Sequence, residues 1–142
     1  MKGYFIILIL MLFFISCDTN PTSSESDEPE LPIIIENLVG RWNWTQSIDS
    51  SDQVIEESTI GNKISIEILQ DYTFNQYRND TLFFYDKFNL YKTILPNKTD
   101  TVSIIDWKTS KNFNYIIYSL KEKLLIIGSS ISDVKSKYSR IN

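Results

Sequence analysis

Two carboxylate pairs, Glu67 with Asp71 and Glu56 with Glu57, are spaced closely enough to invite a reading as an acid–base couple of the glycosidase kind, which needs two carboxyl groups about 5 to 10 Å apart across a bond. Their surroundings argue against it. Glu67 alternates with Ile64, Ile66 and Ile68 in KISIEIL, so in a strand its side chain faces away from the isoleucines and toward water. Glu56 and Glu57 fall in a polar connection. The chain contains no histidine, which removes Ser-His-Asp machinery, imidazole proton transfer and His-based zinc sites. Past residue 3 the glycines are Gly40, Gly61 and Gly128, too scattered to cradle a phosphate. No Asp-x-Asp-x-Asp spacing offers a calcium loop. The reading is therefore of a protein that is not an enzyme and carries no cofactor and no metal.

The one cysteine, Cys17, has a different setting. Lys2 precedes an unbroken apolar run at residues 4–15 (YFIILILMLFFI), and the run stops at Ser16-Cys17. Twelve apolar residues match the core of a signal peptide and fall short of the roughly 20 that span a bilayer. Phe14 occupies the position where ordinary signal cleavage wants a small residue. The pattern resembles a bacterial lipoprotein signal, which implies removal of residues 1–16 and lipidation of Cys17. Each buried methylene of an acyl chain contributes about 0.8 kcal/mol, and two or more chains make a stable anchor.

Residues 17–32 then read as a tether. DTNPTSSESDEPELP has no aromatic and no basic residue and cannot bury enough apolar surface to fold. It also explains the net charge of −4. Five acids (Asp18, Glu25, Asp27, Glu28, Glu30) lie in the tether and Lys2 leaves with the signal, so residues 33–142 hold 13 acids and 13 Lys and Arg. A formally neutral domain lacks the concentrated basic surface that nucleic acid requires.

The elements that must position any site are strands. Period-two alternation or β-branched and aromatic richness marks residues 41–47, 63–69, 72–78, 81–93, 101–107, 113–120, 123–128 and 135–141. Asn79-Asp80 suits a tight hairpin turn, and the long run at 81–93 is expected to bend or break at Asp86. No stretch after the signal sustains an apolar stripe at helical spacing for three turns. With one cysteine no disulfide is available, so residues 33–142 form a single domain held by hydrophobic burial.

At residues 38–42 (LVGRW) the chain resembles the lipocalin superfamily, and more closely the lipocalin-like lipoproteins of Bacteroidetes. The motifs are GRWNWTQS at the opening strand, ILQDYTFNQY across a turn into an aromatic strand, and Tyr138-Ser139-Arg140 near the end. The resemblance implies an all-β fold, a small antiparallel up-and-down barrel of about eight strands. It also implies closure of one end by Gly40, Trp42 and Arg140, with the guanidinium across the indole. Asp71-Tyr72 stands where such proteins often carry Asp-Gly, a position where Tyr fits poorly if φ is positive. The implied location is the envelope of a Gram-negative bacterium, anchored in the outer membrane through Cys17.

An eight-stranded barrel either fills with its own side chains or holds one small ligand. Trp42 and Trp44 share a face, as do Tyr72 and Phe74, while Phe83 and Phe84 must point oppositely and Trp107 is placed for a barrel mouth. Two functions follow. One is a tethered module binding a small hydrophobic ligand in the barrel, to which the lipocalin likeness inclines the reading. The other is a solid barrel that presents a protein or glycan partner with its outer surface.

Overall fold

In the computed structural model, which describes residues 28–96, 99–110 and 112–142, a single helical turn α1 (Ile35–Leu38) leads into nine strands among the described residues. They are β1 (Gly40–Ile48), β2 (Val54–Glu57), β3 (Ile64–Ile68), β4 (Thr73–Arg78), β5 (Thr81–Ile94), β6 (Thr101–Trp107), β7 (Tyr115–Leu120), β8 (Leu124–Ser129) and β9 (Lys135–Arg140). Cys17 and the whole signal segment lie outside the described residues. None of the described helices is long and apolar enough to cross a membrane.

Every strand pairs antiparallel with its neighbours in the order β2-β1-β3-β4-β5-β6-β7-β8-β9, and β9 returns to pair with β1. One edge of β1 is shared, residues 40–43 pairing with β3 and residues 46–48 with β2. The closed wall is thus eight strands, β1 and β3 to β9, with β2 as a flap on β1. Closure leaves the wall no free sheet edge except where β6 and β7, paired at only three positions, part toward the α1 end. The stretch containing Glu56 and Glu57, expected as a connection, is this short strand β2, whose four residues are all exposed.

Alternation decides what fills the barrel. Ile66 and Ile68 of β3, Phe74 of β4 and Trp42 of β1 are fully buried, while the intervening Glu67, Asn75 and Arg41 line up on the outer face. Burying each large apolar side chain contributes about 1.5–3 kcal/mol relative to leaving it in water. The β4–β5 turn has Asn79 and Asp80 at φ 49° and 62°, the conformation whose twist matches a two-residue hairpin. Tyr72, at φ 62°, does occupy the left-handed region that glycine would take at lower cost. Its strain is offset by the ring, which meets Phe88 edge-on at 5.6 Å, and by Asp71 Oδ1 accepting from the Thr73 N–H at 3.2 Å.

Two expectations are corrected. β5 runs unbroken for 14 residues; the irregularity falls opposite Gln76 and Tyr77, where Phe83 is the extra residue, and not at Asp86. The packed part of the chain also begins before Ile33. Glu28 accepts from the Lys123 N–H, Glu30 from Ser119 Oγ and the Leu120 N–H, and the Leu31 N–H donates to the Leu120 carbonyl at 2.7 Å. The last acids of the sequence-defined tether are therefore acceptors for polar groups of β7 and the β7–β8 turn at one end of the barrel.

Candidate functional site

The end of the barrel next to α1 is plugged. Trp42 and Arg140 are directly opposed across β1 and β9, and the guanidinium carbon sits 4.0 Å from the centroid of the indole. Trp42 is fully buried and its Nε1 donates to the Leu38 carbonyl at 3.0 Å. Arg140 donates through Nη1 to Val39 O at 2.8 Å, through Nε to Glu122 O at 2.7 Å, and through Nη2 to Asn37 O. The guanidinium therefore collects carbonyls at the end of α1, where a cation is electrostatically favoured, and ties them to the β7–β8 turn. Burial lowers its pKa from the ordinary arginine value, and Glu122 acts in the opposite direction. Gly40 has φ 138°, a backbone conformation that favours glycine, and a Cβ built there would stand 2.9 Å from Arg140 Nη1 and push the guanidinium aside. All three residues meet at one place, and all their contacts are structural.

The interior is packed around Trp107. Its ring lies 4.9 Å from Phe74, 5.3 Å from Phe84, 5.4 Å from Tyr115, 6.3 Å from Phe88 and 6.4 Å from Phe113, mostly in edge-to-face geometry, each such pair adding about 0.5–1.5 kcal/mol beyond burial. Trp107 is fully buried and is a hub, not a residue of the mouth. Trp44, Ile105, Ile117, Leu120, Leu125 and Ile127 complete the filling. At the end away from α1 there is a cleft of about 200 Å³ lined by Tyr115, Ile127, Ser132, Ser136 and Tyr138 among others. Burial raises the pKa of Tyr138, the Tyr115 hydroxyl adding to the shift and a bond to Ser136 opposing it. Tyr115 is raised by burial as well.

Asp86 was not read as structural in the sequence, yet it is nearly buried and faces inward opposite Phe74. Oδ1 accepts from the Lys87 N–H at 2.8 Å, and Oδ2 from Thr109 and Ser110 at 3.0 and 2.8 Å. Burial pushes its carboxyl up, but the N–H groups of Ser110, Thr109 and Lys87 outweigh that and hold it below the usual carboxylate value. It is the post on which the β6–β7 loop hangs. The only sequence signal was a single acid inside an aromatic run.

The carboxylate pairs do not assemble. Glu67 Oε2 accepts from Asn75 Nδ2 at 3.1 Å and from the Tyr77 hydroxyl at 2.9 Å on the outer face. Asp71 pairs with Lys87 at 2.9 Å, which with Thr73 lowers its pKa, and Glu56 accepts from Asn62. Among the described residues no cluster of three metal-ligating side chains exists.

What the outer wall does present is a strip on the β4–β5 hairpin. Leu82, Phe83 and Tyr85 are 51%, 63% and 69% exposed. Arg78 lies over the Phe83 ring at 5.1 Å and Arg41 over the Tyr77 ring at 4.9 Å. Arg41, Glu67, Asn75 and Tyr85 are successive cross-strand partners across β1, β3, β4 and β5, so the exposed rings continue a row of polar side chains fixed by hydrogen bonds.

No protein-family model, no curated protein and no solved structure matches the chain. The fold itself defines the class: a closed antiparallel eight-stranded β-barrel with one added strand.

Proposed function

We propose that this protein is a lipid-anchored, non-catalytic envelope module of the lipocalin-like kind whose barrel is solid and whose working surface is the aromatic strip of the β4–β5 hairpin, directed at a protein partner. One observation carries this reading. The interior is occupied by fully buried Trp42, Trp107, Phe74, Phe88, Ile66 and Ile105, while Leu82, Phe83 and Tyr85 stand in water on the opposite face of the same wall. Tyrosine, phenylalanine and arginine beside fixed polar groups have the composition of protein-interface anchors, and Leu82 adds aliphatic surface that a sugar ring would not use. Supporting the anchor are the apolar run ending at Ser16-Cys17 and the acidic tether behind it.

A photo-crosslinking phenylalanine analogue in place of Tyr85, in cells of a native host, tests the surface. A discrete protein adduct that disappears on Phe83→Ala supports the proposal, and no adduct, or one indifferent to Phe83, refutes it. The cleft of about 200 Å³ between Tyr115, Ser136 and Tyr138 favours a second reading, in which a small molecule with apolar and hydroxyl-bonding groups rests at the barrel mouth.

A further inference from the structure

The barrel wall is uneven around its circumference. β5 and β6 stay in register from Phe88–Trp107 to Ile94–Thr101, whereas β6 and β7 pair only at Ser103–Ile117, Ile104–Ile116 and Ile105–Tyr115. β6 starts two residues before Ser103 and β7 continues three residues beyond Ile117, so toward the plugged end the two strands part. There the Leu120 N–H and carbonyl, turned away from β8, need other partners. The N-terminal segment supplies both: Glu30 Oε2 accepts from the N–H at 3.0 Å and the Leu31 N–H donates to the carbonyl at 2.7 Å. Glu30 Oε1 also accepts from Ser119 Oγ at 2.6 Å. The segment imitates a strand for one residue, and Pro32, with no N–H to give, ends the imitation.

On either side of this segment lie clefts of about 470 and 390 Å³. Both are lined by Ile33, Lys92 and Ser103, so Ile33 is the partition between them. The side chains of Leu31 and Ile33 are partly buried and pack against the core.

We propose that residues 28–33 are a displaceable strap closing a lateral seam between β6 and β7, and that its release merges the two clefts into one groove floored by Ser103 and Lys92. The strap is held by a few hydrogen bonds, two of them solvent-exposed, and by two partly buried side chains, which places it at the low-stability end of the fold. It is also the segment through which any pull from the N-terminal side reaches the barrel, so tension would act first on the seam.

Amide hydrogen exchange of the full chain in detergent micelles, read residue by residue, tests the proposal on Glu30→Ala/Leu31→Ala. Exchange at residues 101–103 and 118–120 is expected to rise at least tenfold, with residues 40–44 and 136–140 changing less than twofold. Glu30→Gln, which keeps shape and removes the charged acceptor, should give a smaller rise in the same places and serves if the double variant fails to fold. No rise at the seam, or a rise shared equally by all strands, overturns the strap.

Discussion

Truncating Trp42 and Arg140 singly and together measures how the barrel is closed. Trp42→Ala removes a fully buried indole and should cost about 3–5 kcal/mol. Arg140→Ala forfeits a cation–π contact at 4.0 Å, about 1–2 kcal/mol when partly desolvated, and three charge-assisted hydrogen bonds to carbonyls. Those bonds are part-buried or exposed, so water replaces much of what each loses. The total for Arg140 is about 2–4 kcal/mol, and Arg140→Lys should recover little, because one ammonium cannot serve three carbonyls in a fork. With Trp42 gone the guanidinium has no ring to cover, so the double variant should be less destabilised than the sum by about 1 kcal/mol. The assay is urea unfolding followed by far-ultraviolet circular dichroism, since the indole itself is a fluorescence probe. An osmolyte such as trimethylamine N-oxide keeps the double variant folded, because the summed losses approach the 5–15 kcal/mol of a whole domain. Additivity within about 0.3 kcal/mol would refute the plug.

Gly40→Ala should cost about 1–3 kcal/mol through its φ and its approach to Arg140, measured in the same urea series. Asp86→Asn places an NH₂ or loses an acceptor against three N–H donors and should cost about 1–3 kcal/mol at pH 7. Because the folded pKa of Asp86 lies below the unfolded value of about 3.9, its contribution is complete above that value and is lost as pH falls through the folded one. Asp86→Asn should accordingly flatten the acid limb of a stability–pH curve. Tyr138 has the opposite sign: its raised pKa leaves its contribution intact below about pH 10 and removes it as pH rises further, so Tyr138→Phe should lessen the alkaline loss seen in melting temperature. Cys17→Ser should move the protein from the membrane to the soluble fraction and abolish incorporation of labelled fatty acid without altering the β circular dichroism spectrum. Label retained by the variant would remove the anchor from the account.

Much of the wall was legible because alternation is local. KISIEIL states which side chains enter the core, Phe83-Phe84 states that one ring must leave it, and Asn79-Asp80 states where the hairpin turns. The meeting of Gly40, Trp42 and Arg140 was legible only through the lipocalin likeness, as residues 100 apart in sequence have no local signal. An acid in an aromatic strand looks like an interruption, whereas two of the three backbone N–H groups that Asp86 binds lie more than twenty residues away. Glu28 and Glu30 were misread for a related reason. Composition assigns them to a solvated tether, and nothing in it reveals the unpaired edge of β7 that binds Glu30 or the β7–β8 turn that binds Glu28. The sequence leaves the depth of Trp107 open between mouth and core, because the depth of a strand end depends on the β6–β7 loop folding over it through Phe113.

The claim that the barrel is solid and works by its outer surface is tested most directly by native mass spectrometry of the protein purified from its host. The mass under native conditions should equal that of the covalent chain measured after denaturation, with no small molecule lost between the two. A stoichiometric adduct of a few hundred daltons that departs on unfolding would contradict the solid barrel and return the function to a ligand held inside it.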